Sequence, residues 1–494
     1  MNNIKHNIYK TLGMSLLAAS VIITPACKKS FLDVPQQAQT PVAQFWNTAD
    51  DANKAVNAIY GNLRSWNNIA FAPMAIESLG SDDAEKGSTP NDATYLNQYD
   101  DYSVPATEGQ LDSFWDGQYQ TINLANQVLD NVPGITMDAN LKARLLGEAK
   151  FIRAYAYFRL VRAFGDVPLR LTIPKDPNDY NMPRTPKAQV WAAIESDLND
   201  AASALPQTYA AADLGRATKG AALGLHAKVA MYLQKWNDVF SYTNQVMGMG
   251  YSLLPNYEKV FRLENENSSE SLFEVQAALL PNNADASNSQ YSQIQGVRNV
   301  AGGGWGFNVP TQNLADSYET GDPRRAGTII FRGTTTFEGD AIPANTDNPR
   351  YNYKSYVPFS LWVSGFNEGA QQNFRVLRYS DVLLMNAEAA NELGNTAQAL
   401  SSLEMVRARA RQGNANILPR VTTTDKSALR DAIWRERRFE LAMENDRYFD
   451  VIRQGRAAQV FGPKGWKANK NEVWPIPQTE IDLSRGVLTQ NPGY

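Results

Sequence analysis

The chain has 494 residues, 43% of them hydrophobic, enough for a large core and too apolar for a chain that stays disordered. A formal net charge of -4 leaves no basic excess to neutralise phosphates, which excludes a general nucleic-acid binder. One cysteine and two histidines exclude an internal disulfide and a Cys/His zinc centre, while 22 tyrosines, 19 phenylalanines and 10 tryptophans supply rings that stack on neutral polar ligands.

Residues 1–26 read as a secretory leader, with Lys5 and Lys10 ahead of an apolar run over about 14–23 that is too short to span a bilayer. It ends Thr24-Pro25-Ala26 before Cys27, and a small residue preceding the only cysteine resembles a bacterial lipoprotein processing site. Thr24 and Pro25 depart from the usual pattern, so ordinary secretory cleavage is the second reading. Residues 27–40 form a polar N-terminal tether, and 41–494 read as one helical domain. Asp50 or Asp51 is expected to cap a first helix carrying Ala55, Val56, Ile59, Tyr60 and Leu63. Over 65–104 the period dissolves among Asp, Asn, Gly, Ser and Pro. A long irregular stretch is functional or disordered, and Trp66, Tyr95, Tyr99 and Tyr102 argue against disorder.

Helical spacing resumes at Phe114, continues through Leu124, Val128 and Leu129, and stops at Val132-Pro133-Gly134. The spacing predicts a long helix over 141–164, with Phe151, Tyr155 and Phe158 on one side and Tyr157, Leu160 and Phe164 on another, so these rings belong to the core. A helix from Pro186 carries Val190, Ile194, Leu198, Ala202 and Leu205. A hairpin of 218–233 and 236–247 follows. His226, the one histidine outside the leader, sits among Ala and Leu there and reads as a helix-packing residue, not as the base of a Ser-His-Asp triad.

From 251 to about 375 the chain becomes a loop-rich insert holding one short strand, SLFEVQAAL. The Gly302-Gly303-Gly304 run follows no strand and opens no helix, which rejects a dinucleotide or phosphate loop, and no cofactor is expected. Trp305 and Phe307, flanked by glycines, are expected on a surface loop with free rings. Asp322-Pro323-Arg324-Arg325 reads as a structural turn.

Helical spacing returns in RYSDVLLMNAEAANELGN, where Gly394 supplies a left-handed stop, and in a second helix with Ala399, Leu403, Val406 and Ala410. A third helix starts near Asp425 and carries Leu429, Ile433, Phe439 and Met443. Its stripe also lands on Glu436 and Glu440. Paired carboxylates do acid and base work in glycoside hydrolysis, but five arginines between Arg435 and Arg453 favour buried ion pairs that fix helix docking. Pro475 and Pro477 predict an extended segment packed over the helices.

RYSDVLLMNAEAANELGN, RERRFELAMENDRYFDVIRQG, VWPIPQTEI and QNPGY, with GEAKFIRAYAYFRLVRAFGDVPL and FWNTADDANKAVNAIYGNLR upstream, resemble the SusD/RagB family of nutrient-binding outer-membrane lipoproteins. Asn445 stands where that family more often has glycine. The resemblance implies a mainly α fold in which tetratricopeptide-like helical hairpins form a scaffold, with long irregular loops and a few short strands carrying the ligand face. It further implies a Cys27 that becomes an acylated N-terminus, a place on the outer membrane facing the exterior, and a SusC-like TonB-dependent transporter as partner. Family glycan contacts come from loops in two regions, here 66–102 and 291–318. On chemistry alone the ligand-binding candidates in them are Trp66, Asn68, Asp82, Tyr95, Tyr291, Arg298, Trp305 and Phe307. Oligosaccharide is the expected ligand; a RagB-like peptide binder and a glycosidase using Asp82 or Asp83 are the competing readings. No catalytic residue and no metal ligand is assigned.

Overall fold

The computed structural model describes residues 45–278, 290–362 and 371–494, so the expected leader, Cys27 and tether lie outside the described residues. Helix α1, Ala49–Leu63, buries Ala52, Val56, Ile59 and Leu63. Its cap is Thr48 and not Asp50 or Asp51: the Thr48 hydroxyl accepts from the Asp51 amide at 3.2 Å, and the Asp51 carboxylate accepts from the Thr48 amide at 2.9 Å. This reciprocal capping box satisfies two otherwise orphaned donors. Helix α2, Gly109–Asn131, starts before Phe114 because Glu108 accepts from the Gln110 amide and caps a polar first turn. Asp138 caps α3, Ala139–Phe164, which is buried on nearly every side from Gly147 onward.

Helices α4, Lys187–Ala204, α5, Lys219–Tyr232, and α6, Trp236–Met247, follow as expected. After the insert come α7, Tyr379–Glu392, α8, Thr396–Arg411, and α9, Lys426–Leu441. Each helix from α1 to α9 packs on the next, and α6 packs on α7 across the whole insert. The fold is therefore mainly α, a stack of helical hairpins of the repeat kind. Gly394 stands at φ +77° just past α7, the left-handed stop expected there. Helix α9 ends at Leu441, so Met443 is not on its stripe; Met443 and Asn445 take φ +65° and +66° in the turn that follows. Asparagine tolerates that conformation better than most residues, which accounts for its standing in for glycine.

Glu436 and Glu440 are buried ion-pair residues. Their partners are not the neighbouring arginines but ones brought in from elsewhere. Glu436 accepts from Arg324 at 2.6 Å and from Arg407 at 2.8 Å. Glu440 accepts from Arg378 at 2.7 Å and from Arg409. Arg324, from the Asp-Pro-Arg-Arg turn, is fully buried and also holds Asp322 at 2.8 Å, so that turn is an anchor for α9. Nearby Arg437 and Arg453 instead hold Asp381, Asp450 and Glu388.

The insert and the irregular 65–104 stretch supply three two-stranded antiparallel sheets. Strands β1, Ala84–Gly87, β2, Ser271–Val275, β3, Phe307–Pro310, β4, Ile329–Phe331, β5, Arg350–Asn352, and β6, Phe374–Arg378, pair as β1–β3, β2–β6 and β4–β5. Part of the 65–104 stretch is core: 68–81 is buried, in short helical turns that widen to a π-helical turn over Met74–Leu79. The Trp474 indole donates to the Ile76 carbonyl at 3.0 Å, and its amide to Ala163 at 2.7 Å, so the proline-bounded C-terminal segment covers both this stretch and the end of α3.

Candidate functional site

The two irregular regions meet through β1 and β3, in register Ala84↔Pro310, Glu85↔Val309 and Gly87↔Phe307. Gly87 and Gly306 close this clasp at φ +70° and +75°, and a Cβ on Gly87 would lie 2.5 Å from the Gly306 carbonyl oxygen. Only glycine fits there. Beyond the clasp the Ser88 amide donates to Gly306 at 2.6 Å, and the Trp305 amide donates to Gln293 at 2.8 Å. The Gly302-Gly303-Gly304 run folds back on its own loop, with a Cβ on Gly304 falling 2.2 Å from the Gln293 oxygen.

This brings Trp66 and Trp305 together, ring centroids 6.1 Å apart and planes at 54°. Phe71 stacks behind Trp305 at 5.8 Å and meets Trp66 edge-on at 5.4 Å. Phe307 lies edge-on to Phe71 at 4.9 Å. Trp66 is 37% exposed and Trp305 partly so, whereas Phe71 and Phe307 are buried backing. Such edge-to-face and tilted pairs hold the outer rings at a set angle.

Arg298 borders the rings. Its guanidinium donates to the Trp305 carbonyl at 3.1 Å, Ser88 Oγ at 2.8 Å and Asp92 at 3.0 Å, and faces Asp347 at 3.5 Å. Lys86 donates to the carbonyls of Thr89 at 2.8 Å and Asp92 at 2.7 Å, pinning the adjacent turn, and burial lowers its pKa. Asn299 donates to Asp347 at 2.6 Å. Tyr95, 39% exposed, has its phenol pushed up by burial, then by Glu108 and Asp92. Each cation at this rim is already matched by a carboxylate or held by carbonyls. What remains is a pair of tilted rings with a polar, electrically balanced edge.

Four of the eight expected residues are turned inward. Phe307 points into the core because strand β3 is buried on both faces, so its ring is not free. Asn68 is 4% exposed; it donates to the Asn62 carbonyl at 2.9 Å and accepts from Gln118 at 2.8 Å, joining α1 to α2. Tyr291 packs on Phe374 at 4.9 Å beneath the surface. Asp82 accepts from Arg447 at 2.8 and 3.0 Å and faces Arg438 at 3.0 Å. Burial would raise its pKa, but those two arginines lower it, while burial raises that of Asp83, held by Arg438 at 2.7 Å. Both carboxylates are engaged with helix-borne arginines. His226 stacks on Tyr242 at 4.2 Å and is driven down to about 4 by burial, as a packing histidine. Phe71, Ser88, Asp92 and Asp347 are members of the site that residue type alone did not single out. The spacing of β1 could not reveal them, because its partner lies more than 200 residues away.

Two family models match this chain: the SusD family over residues 269–494, and "starch-binding associating with outer membrane" over residues 30–233. A SusD-like protein from Bacteroides ovatus is 28% identical over 478 residues, covering 90% of this chain and 83% of the relative. SusD-like protein P2 from Formosa agariphila is 25% identical over 477 residues, covering 91% and 94%. Among solved structures, a laminarin-binding SusD-like protein superposes with TM-score 0.79 at 29% identity, over 91% of this chain and all of that one. Surface glycan-binding protein A from Bacteroides thetaiotaomicron, solved with laminarihexaose, has the same fold, with TM-score 0.73 at 22% identity over 90% of this chain and 99% of that one.

Proposed function

This chain belongs to the SusD family, and from that we propose that it is a surface glycan-binding protein that captures an uncharged oligosaccharide between Trp66 and Trp305. The tilted ring pair carries the reading: sugar rings present apolar faces to aromatic side chains, and the 54° angle suits a chain that curves. Arg298, neutralised by Asp92 and Asp347, offers hydrogen bonds without net attraction for an acidic sugar. Asn299 and Tyr95 extend that polar edge, with the buried Ser88 hydroxyl behind it, donating to Asp92. Nothing in this role breaks a bond. Binding and release suffice, so modest affinity with fast dissociation is the expected regime.

In this reading Cys27 is acylated, the protein sits on the outer membrane facing outward, and the captured glycan passes to a SusC-like TonB-dependent transporter beneath. The family description supports the outer-membrane location, and the laminarin-binding neighbour supports the glycan ligand. The test is native electrophoresis through gels containing laminarin, and in parallel other neutral and acidic polysaccharides. Retardation by a neutral polymer, and its loss by about tenfold or more in Trp305→Ala with an unchanged melting temperature, is the expected result. Equal retardation of the variant removes Trp305 from the site. Retardation only by acidic polymers, or by none, refutes an uncharged glycan.

A further inference from the structure

A cleft of about 410 Å³ lies away from the tryptophan pair, on the outer side of α2, between the 168–182 loop and the C-terminal turn Gln478–Leu483. Large hydrophobic side chains are concentrated there. Tyr180 (63% exposed) and Leu483 (69%) line it, and exposed Leu171 and Val487 adjoin lining residues. Clustering of this kind marks a surface that something covers. The charges point the same way. The lining carries the carboxylates of Asp116 and Glu480 against one cation, Arg170, whose donors are taken up by the carbonyls of Asp179 and Tyr180. Burial raises both carboxylates, Asp112 adds to each, and Glu480 accepts a hydrogen bond from Trp115.

We propose that this cleft docks a protein partner, which seats a large apolar side chain between Tyr180 and Leu483 and sets a lysine or arginine against Asp116 and Glu480. A sugar is the poorer fit. The Trp115 ring at the floor is only 3% exposed and the Tyr119 hydroxyl already donates to Pro168, which leaves Tyr180 as the one ring of the lining exposed by more than a third. A single ring does not clamp a sugar between two faces as the Trp66–Trp305 pair can. An anionic membrane surface is repelled by the same carboxylates.

The test uses fluorescence anisotropy of three dye-labelled peptides in Gly-Ser flanks, centred on Lys-Leu-Phe-Lys, Glu-Leu-Phe-Glu and Lys-Gly-Gly-Lys, with the mature chain. The first is expected to bind, to weaken about tenfold in Tyr180→Ala with Leu483→Ser, and to weaken about threefold in Glu480→Gln or at high salt. Trp305→Ala is expected to leave it unchanged. Failure of every peptide to bind, or equal binding of the acidic one, overturns the proposal. So does loss of laminarin binding in the Tyr180/Leu483 variant, which would give the cleft to sugar. Because that variant should keep its glycan retardation, failure here is separable from failure of the glycan reading.

Discussion

Glu440→Gln isolates the part played by the buried charges beneath α9. Glu440 is fully buried; it accepts from Arg378 at 2.7 Å and from Arg409, and faces Arg324 at 3.4 Å. Glutamine keeps the shape and removes the charge, leaving three guanidiniums to share Glu270, Glu436, Glu444 and Asp322. Breaking a buried pair costs about 3–5 kcal/mol. At roughly 2.1 cal/mol/K of unfolding entropy per residue, that is a melting temperature about 3–5 °C lower for a chain this long. Burial alone would raise the Glu440 pKa, but Arg409, Arg378 and Arg324 hold it well below the usual range. A depressed carboxylate gives stability that is complete above its unfolded pKa of about 4.3 and is lost as pH falls below it, at about 1.4 kcal/mol per pH unit. The gap between wild type and variant, measured by urea unfolding, should therefore narrow by about 2 kcal/mol from pH 6 to pH 3. Glycan retardation should not change. A loss under about 1 kcal/mol at pH 6, or a gap that stays constant to pH 3, refutes the reasoning; lost glycan binding in a folded variant would move Glu440 into a binding role.

Asn68→Ala should destabilise by about 2–3 kcal/mol in urea, because Gln118 loses its acceptor and the α1–α2 junction its donor, while glycan affinity stays within about twofold. Lost affinity at full stability would return Asn68 to the site. His226, with its pKa lowered to about 4, makes the fold lose stability as pH falls from about 6.5 toward 4, since only the unfolded chain takes up the proton there. His226→Phe should flatten that slope, and an unchanged slope assigns it to other groups.

The helical frame could be read because its signals are local. Gly394, Asp425 and the Leu429–Ile433 stripe act within one or two turns, and the structure places a left-handed stop, a cap and a buried face there. One misreading was local, and the others arose where the deciding partner was remote. Thr48 outcompeted two aspartates because one of them, Asp51, reached back to cap it. Glu436 and Glu440 read correctly as ion pairs, yet their arginines arrive from the insert, from β6 and from α8. In the site, residue type picked out Trp66 and Trp305 but could not separate them from Asn68, Tyr291 or Phe307. Exposure is a property of packing against α2, β6 and β1, and no short window contains it.

The β1–β3 clasp has a consequence for how such a site diversifies. Ring spacing is set by strand register, so a slip of two residues would carry Trp305 about 7 Å along Trp66 and alter the curvature that the pair can grip. Residues added beyond Gly87 would leave that ruler untouched, because Trp66 lies on the other side of β1. The two tryptophans lie one in each half, so a nascent chain brings them together only once β3 has been made and has found β1.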